Sequence, residues 1–195
     1  MKVTFYIASS VNGLISNSRN VPDWLSAQYG QGMVSICQKS KAVIMGKTTY
    51  NIIAPDYLPL KDEGTTVVLT TDQNARSENS TVVFTQSKAS EIIGLLTKNG
   101  HTEVVIIGGM MTISQFINAG LVNDIYFVVE PVLFGAGLPL LKNVDLELKL
   151  SLLGVSTLVI ILFYYTIKYL NSSAKSLKIS VVDFIVDHTK TNLYI

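Results

Sequence analysis

The 195-residue sequence contains one cysteine, Cys37, and two histidines, and charged residues make up only 15% of it. A single cysteine excludes an internal disulfide, and with so few histidines no Cys/His cluster is available for a structural zinc site. The formal charge is +1 and the chain has no block of basic residues. A surface built on phosphate contacts to nucleic acid is therefore not expected. Low charge here does not mean disorder, because 48% of the residues are hydrophobic, enough to bury a real core. The opening MKVTFYIASS has no basic n-region followed by a long apolar stretch. Val3 to Ala8 reads as a first strand and not as a signal peptide. A reduced, cytoplasmic setting is the simplest expectation.

One long uncharged run does exist. Leu150 to Ile167, LSLLGVSTLVIILFYYTI, lies between Lys149 and Lys168 and meets the length criterion for a membrane span. Gly154, Ser156 and Thr157 interrupt it, and VIILFYYTI is rich in β-branched and aromatic residues, which favours strand.

Elsewhere short apolar runs alternate with stretches of helical period, the pattern of strands joined by crossover helices. Strands are expected at Val3–Ser9, Ala42–Met45, Thr66–Leu69, Thr81–Phe84, Val104–Ile107 and Asp124–Glu130. Runs such as VVIIG and AVIMG lack alternation, as central parallel strands buried on both faces should. Leu25, Tyr29, Met33, Ile36 and Cys37 recur at helical spacing. Thr48–Ile53 reads as a short helix closed by Ala54-Pro55, and Ser87 as the cap of a helix whose inner face is Ala89, Ile92, Ile93 and Leu96. A further helix carries Met110, Ile113, Phe116, Ile117 and Leu121 and ends at Gly120 in a left-handed cap. One α/β domain is expected, with one more strand around Ile179–Val186 in the tail.

Three strand ends draw attention. Ile107-Gly108-Gly109 runs straight into a helix, leaving free N–H groups at the positive end of the helix dipole with no side chains in the way of a phosphate. Close strand–helix packing explains a Gly-Gly pair equally well. AVIMGKTTY carries a strand into Gly46, Lys47, Thr48 and Thr49, a cation and two hydroxyls at a helix N-terminus. Its bland alternative is a solvated lysine beside a capping threonine. In VVLTTD, Thr70 and Thr71 put hydroxyls at a strand's carboxyl end, the side on which open α/β sheets bind ligands.

These segments, with YIASSVNGLIS and AGLVNDIYFVVEPVLFGAGLPLL, resemble the dihydrofolate-reductase-like family. The resemblance is to the branch holding the reductase domain of the bifunctional riboflavin-biosynthesis deaminase–reductase and its stand-alone relatives, and it runs from Met1 to about Lys149. It implies a central, mostly parallel twisted sheet flanked by helices, with antiparallel C-terminal strands. Residues 1–169 would form the reductase domain and 170–195 an extension. The implied activity is NADPH-dependent hydride transfer to a small heterocyclic or ribosylamino-pyrimidine substrate. Folate reduction is the second choice, and a non-catalytic nucleotide-binding module, held to a membrane by Leu150–Ile167, is a rival of another class.

Placed residue by residue, the resemblance sets Lys47 opposite the 2′-phosphate of NADPH, Gly46, Thr48 and Thr49 in the same turn, and Thr70 and Thr71 at the adenosine phosphate. Gly108 and Gly109 match the pyrophosphate-binding glycines, with Met110 where the family carries a third. Ala8 falls beside the nicotinamide, Asn12-Gly13 in the mobile loop that follows, and Trp24 near the substrate cleft or, equally, in the core. The acid that folate reductases carry in their first helix falls near Gly30, and AQYGQGMVSICQK contains none. Asp23 lies about two turns early and reads as an N-cap. The basic residue that riboflavin-pathway reductases use for the ribose phosphate has no arginine counterpart in SAQYGQGMVS.

Of the groups that could act as acids, Tyr50, Tyr57, Asp56, Asp124 and Glu130, the last precedes Pro131 and reads as a solvated strand terminus. Cys37 reads as core, His101 and His188 as surface residues. No nucleophile–base pair or metal site is expected, and hydride transfer needs neither. A homodimer through sheet edges is a further expectation.

Overall fold

The structure is a computed structural model that describes residues 1–57, 64–145, 147, 149–157 and 163–169. The strand expected at Ile179–Val186, His188 and the 170–195 extension lie outside the described residues, as do the side chains of Asp56 and Tyr57.

Among the described residues there are ten strands and four helices. The first half comprises β1 (Lys2–Ser10), β2 (Leu14–Asn17), α1 (Ala27–Ser40), β3 (Ala42–Gly46), α2 (Lys47–Tyr57), β4 (Thr65–Leu69) and β5 (Val82–Thr85). The second comprises α3 (Ala89–Lys98), β6 (Glu103–Ile106), α4 (Met110–Asn118), β7 (Asp124–Glu130), β8 (Gly137–Pro139), β9 (Leu150–Thr157) and β10 (Phe163–Tyr169). The main sheet has the order β5-β4-β3-β6-β1-β7-β10-β9, and β2 pairs with β8 apart from it. The six strands from β5 to β7 are mutually parallel, while β10 and β9 close the sheet antiparallel.

The apolar runs form this sheet because helices cover both faces. Val3, Phe5 and Ile7 of β1 pack with Ile92 and Leu96 of α3 and with Ile113, Phe116 and Ile117 of α4. Tyr6 and Ala8 join the other layer, with Tyr29, Met33 and Cys37 of α1 and Ile53 of α2. Strand alternation sends neighbouring side chains of β1 to opposite cores. Cys37 is fully buried, as a core thiol.

Local expectations fare differently. The described parts of the 150–167 run are the antiparallel strands β9 and β10, the strand reading its composition favours, and they pair from Phe163–Thr157 to Tyr169–Leu150. Among the described residues no helix is long and apolar enough to cross a membrane. Helix α2 continues through Ala54-Pro55 to Tyr57. Pro55 falls in its last turn, where a missing N–H removes one hydrogen bond near an end. The cap of α3 is Lys88, not Ser87: the Lys88 N–H donates to the Glu91 carboxylate (3.0 Å). Asp23 caps nothing. It pairs with Arg19 (2.8 Å), and α1 is capped by Ser26, whose Oγ accepts from the Tyr29 N–H (3.1 Å). His101 is half-buried, with Nε2 3.0 Å from Thr65 Oγ1. Gly120 has φ 64°, the left-handed residue expected after α4.

Candidate functional site

A cleft of about 2010 Å³ opens along the carboxyl ends of the parallel strands. Register brings the turns there. In the parallel pair of β3 and β6, Ile44 lies opposite Ile106, so two residues further outward Gly46 comes beside Gly108. The Gly46 N–H donates to the Gly108 carbonyl (3.1 Å) and the Ile107 N–H to the Ile44 carbonyl (3.1 Å). On the other side of β3, Gly46 lies opposite Leu69, which places Thr70 one step beyond. The Thr70 N–H is held by the Thr85 carbonyl (3.0 Å).

The backbone at the central turn is tightly packed against two threonine hydroxyls and adopts a conformation that favours glycine. Gly108 has φ 135°, and the Gly108-Gly109 peptide bond is cis. A Cβ on Gly108 would lie 3.2 Å from Thr49 Oγ1, and one on Gly46 would lie 3.2 Å from Thr112 Oγ1. Gly109 is the N-cap of α4 and has no side chain to satisfy the first N–H groups of that helix. Helix α2 begins directly after Gly46. Two helix N-termini and an open glycine backbone are thus aimed at one rim, an arrangement that fits a diphosphate.

Ala8, Gly46, Lys47, Thr48 and Thr49 line this cleft, as do Thr70, Thr71, Gly108, Gly109 and Met110. Trp24 lines it too, half-buried, with its ring edge-to-face against Phe134 at 5.2 Å. Asn12 is not among the lining residues. Its side-chain amide donates to the Phe134 carbonyl (2.8 Å) and accepts from the Phe134 N–H (3.2 Å), tying the loop after β1 to the loop after β7. Met110 is half-buried on the cleft wall and belongs to neither core cluster.

Two features were missed in the sequence. Glu130, expected to be solvated, is 1% exposed: its Oε1 accepts from the Ser26 N–H (3.0 Å) and Oγ–H (2.8 Å). It pins the start of α1, a wall of the cleft, to the end of β7. Asp124 is buried likewise and pairs with Lys2 (2.9 Å). The second feature is Asp72, whose Oδ2 lies 2.6 Å from Lys47 Nζ. VVLTTD contains this carboxylate, one residue beyond the threonines that drew attention.

The α1 wall is uncharged: Met33 and Val34 line the cleft beside the polar Gln31, Ser35 and Gln38. Tyr6 stacks on Tyr29 (5.1 Å between ring centres, 24° between planes) and donates its hydroxyl to the Tyr29 carbonyl (3.2 Å). Burial pushes both phenols well above their ordinary range, and the Cys37 thiol up to about 12. Among the described lining residues Asp72 is the only one with a carboxyl group. Among the described residues no group of His, Cys, Asp and Glu could hold a metal ion.

Comparison with known proteins agrees with this architecture. A family model described as the RibD C-terminal domain matches residues 1–159. The uncharacterized protein YwjB of Bacillus subtilis (strain 168) is 27% identical over 159 residues, covering 78% of this chain and 90% of YwjB. A solved structure of a putative riboflavin biosynthesis protein from Shewanella sp. PV-4 superposes with a TM-score of 0.74 at 21% identity, covering 88% of this chain and 100% of that one. A diaminohydroxyphosphoribosylaminopyrimidine deaminase/5-amino-6-(5-phosphoribosylamino)uracil reductase from Thermotoga maritima gives a TM-score of 0.70 at 16% identity, covering 87% of this chain and 56% of that one.

Proposed function

The chain belongs to the family of the RibD C-terminal domain, and on that footing we propose that it is an NADPH-dependent reductase of a ribosylamino-pyrimidine or similar small heterocycle. The observation that carries this reading is the convergence of the Gly46, Thr70 and Gly108 turns on one rim of the cleft.

The N–H groups at Gly109 and the start of α4 would hold the pyrophosphate, with Thr49 beside them. Thr70 and Thr71 would offer hydroxyls to the adenosine side, and Lys47 a cation to the 2′-phosphate. Ala8 lines the cleft, and its small side chain would let a flat ring come close to β1. Bound there, the nicotinamide supplies a hydride. The chain's own contribution is position: Trp24 and the α1 wall would hold the heterocycle against that ring, and the buried Glu130–Ser26 link keeps the wall in place. Water in the open cleft would supply the accompanying proton. A folate is the second choice of substrate, because Gly30, where folate reductases place their acid, lines the cleft without a carboxyl group.

Trp24 is the chain's single tryptophan. Titration with NADPH should quench its emission saturably, and the Lys47→Glu variant should weaken that binding by about tenfold. Absence of quenching, with no oxidation of NADPH by ribosylamino-pyrimidines, would sink the proposal.

A further inference from the structure

Lys47 is the cation expected to favour NADPH, yet its ammonium is already engaged by the Asp72 carboxylate at 2.6 Å. Both residues line the cleft at the carboxyl ends of β3 and β4. The carboxylate does not depend on Lys47 for its position. Its Oδ1 accepts from the Asn74 N–H (2.9 Å), and the Asp72 N–H donates to Thr70 Oγ1 (3.1 Å). Asp72 is therefore fixed by its own turn, and it stays at the rim if the flexible lysine swings away. The Lys47 hydrogen bond, with the Asn74 N–H second, holds its acid strength above that of a free carboxyl, so it is charged at neutral pH. The other cation near this turn, Arg76, is turned onto backbone, donating to the carbonyls of Gln73 (2.8 Å) and Ala75 (2.7 Å).

A rim of one cation and one fixed anion is a poor receptor for a phosphate dianion. The phosphate must take Lys47 from its partner and then lie close to a like charge. A ribose carrying two free hydroxyls meets the opposite situation, since a carboxylate at a strand end accepts hydrogen bonds from such hydroxyls. We infer that Asp72 is a specificity-determining residue, which limits the preference for NADPH so that the chain takes NADH as well. This rests on the reductase reading above and goes beyond it in assigning a role to a residue that reading does not use.

The test is tryptophan-quenching titration of the full chain with NADPH and with NADH. Wild type is compared with Asp72→Asn, which keeps an acceptor for the Asn74 N–H, and with Asp72→Glu. Asp72→Asn should raise the NADPH-to-NADH affinity ratio by about fivefold, the scale of an exposed charge contact, through tighter NADPH and weaker NADH binding together. Asp72→Glu should return the ratio toward wild type, which a merely structural defect would not do. An unchanged ratio in Asp72→Asn, with at least one dinucleotide still bound, overturns the inference and leaves the reductase reading standing. If wild type binds neither dinucleotide, the reductase reading falls and takes this inference with it.

Discussion

Ser26 and Glu130 lie 104 positions apart, yet the backbone N–H and the hydroxyl of Ser26 both end on one carboxyl oxygen of Glu130. The same Ser26 hydroxyl caps α1 by accepting from the Tyr29 N–H. One side chain from the end of β7 thus sets where the helix along the cleft begins. Glu130→Ala leaves both donors without an acceptor and should cost about 3 kcal/mol, lowering Tm by about 6–12 °C. Glu130→Gln keeps an acceptor and should cost about 1 kcal/mol. Thermal unfolding of the two variants checks the order, and equal losses would mean that the hydrogen bonds to Ser26 are not what matters.

At the central turn the substitution to make is Gly108→Ala. A φ of 135° is strained for any L side chain, and the new methyl would press on Thr49 Oγ1. A loss of about 1–3 kcal/mol is expected. On the proposed function, NADPH affinity should fall further than stability explains, because the methyl group would stand beside the backbone proposed to hold the pyrophosphate. Parallel measurement of Tm and of tryptophan quenching separates the two effects.

Met110 tests the opposite direction. Its side chain stands half-buried on the cleft wall beside the Gly-Gly turn. Met110→Ala should clear space next to the pyrophosphate site, keep a good helix former at the start of α4, and tighten NADPH binding by about threefold. Weaker binding would mean that the thioether packs on the ligand.

Cys37 provides the pH-dependent case. Burial raises its thiol from 9.0 to about 12 in the folded chain. The folded state therefore prefers the protonated form. That contribution is complete below the unfolded value near 9 and is lost progressively as pH rises toward 12, by at most about 1.4 kcal/mol per pH unit for one proton. Thiol reagents at pH 8 should label native protein only through unfolding, at a rate that rises with denaturant. Rapid labelling of native protein would contradict the burial.

The parallel strands were legible because burial on both faces erases alternation, and AVIMG and VVIIG show that directly. Helix-facing residues such as Tyr29, Met33 and Cys37 were legible from spacing alone. The pair β2 and β8 was not. Each strand is only three or four residues long, and what joins them is the tight approach of Gly137 to the Ser16 carbonyl, which leaves no mark in hydropathy. The three turns at Gly46, Thr70 and Gly108 could be picked out because strand ends carry local chemistry. Glu130 was misread because Pro131 beside it suggests an exposed terminus, whereas its partner arrives from the far end of the chain. Asp72 escaped because an acid after two threonines looks like turn punctuation until Lys47 is seen against it.

Strand β1 holds Val3, Phe5 and Ile7 in one apolar layer and Tyr6 and Ala8 in the other. The two layers therefore share a single nine-residue spine, and neither can melt while the other stays intact. Unfolding should be all-or-none across the described parallel sheet, with loss of the Tyr6–Tyr29 environment and of the helix signal at the same midpoint. A deletion of one residue before Ala8 would exchange the two sets of side chains between layers, and damage the core as a whole.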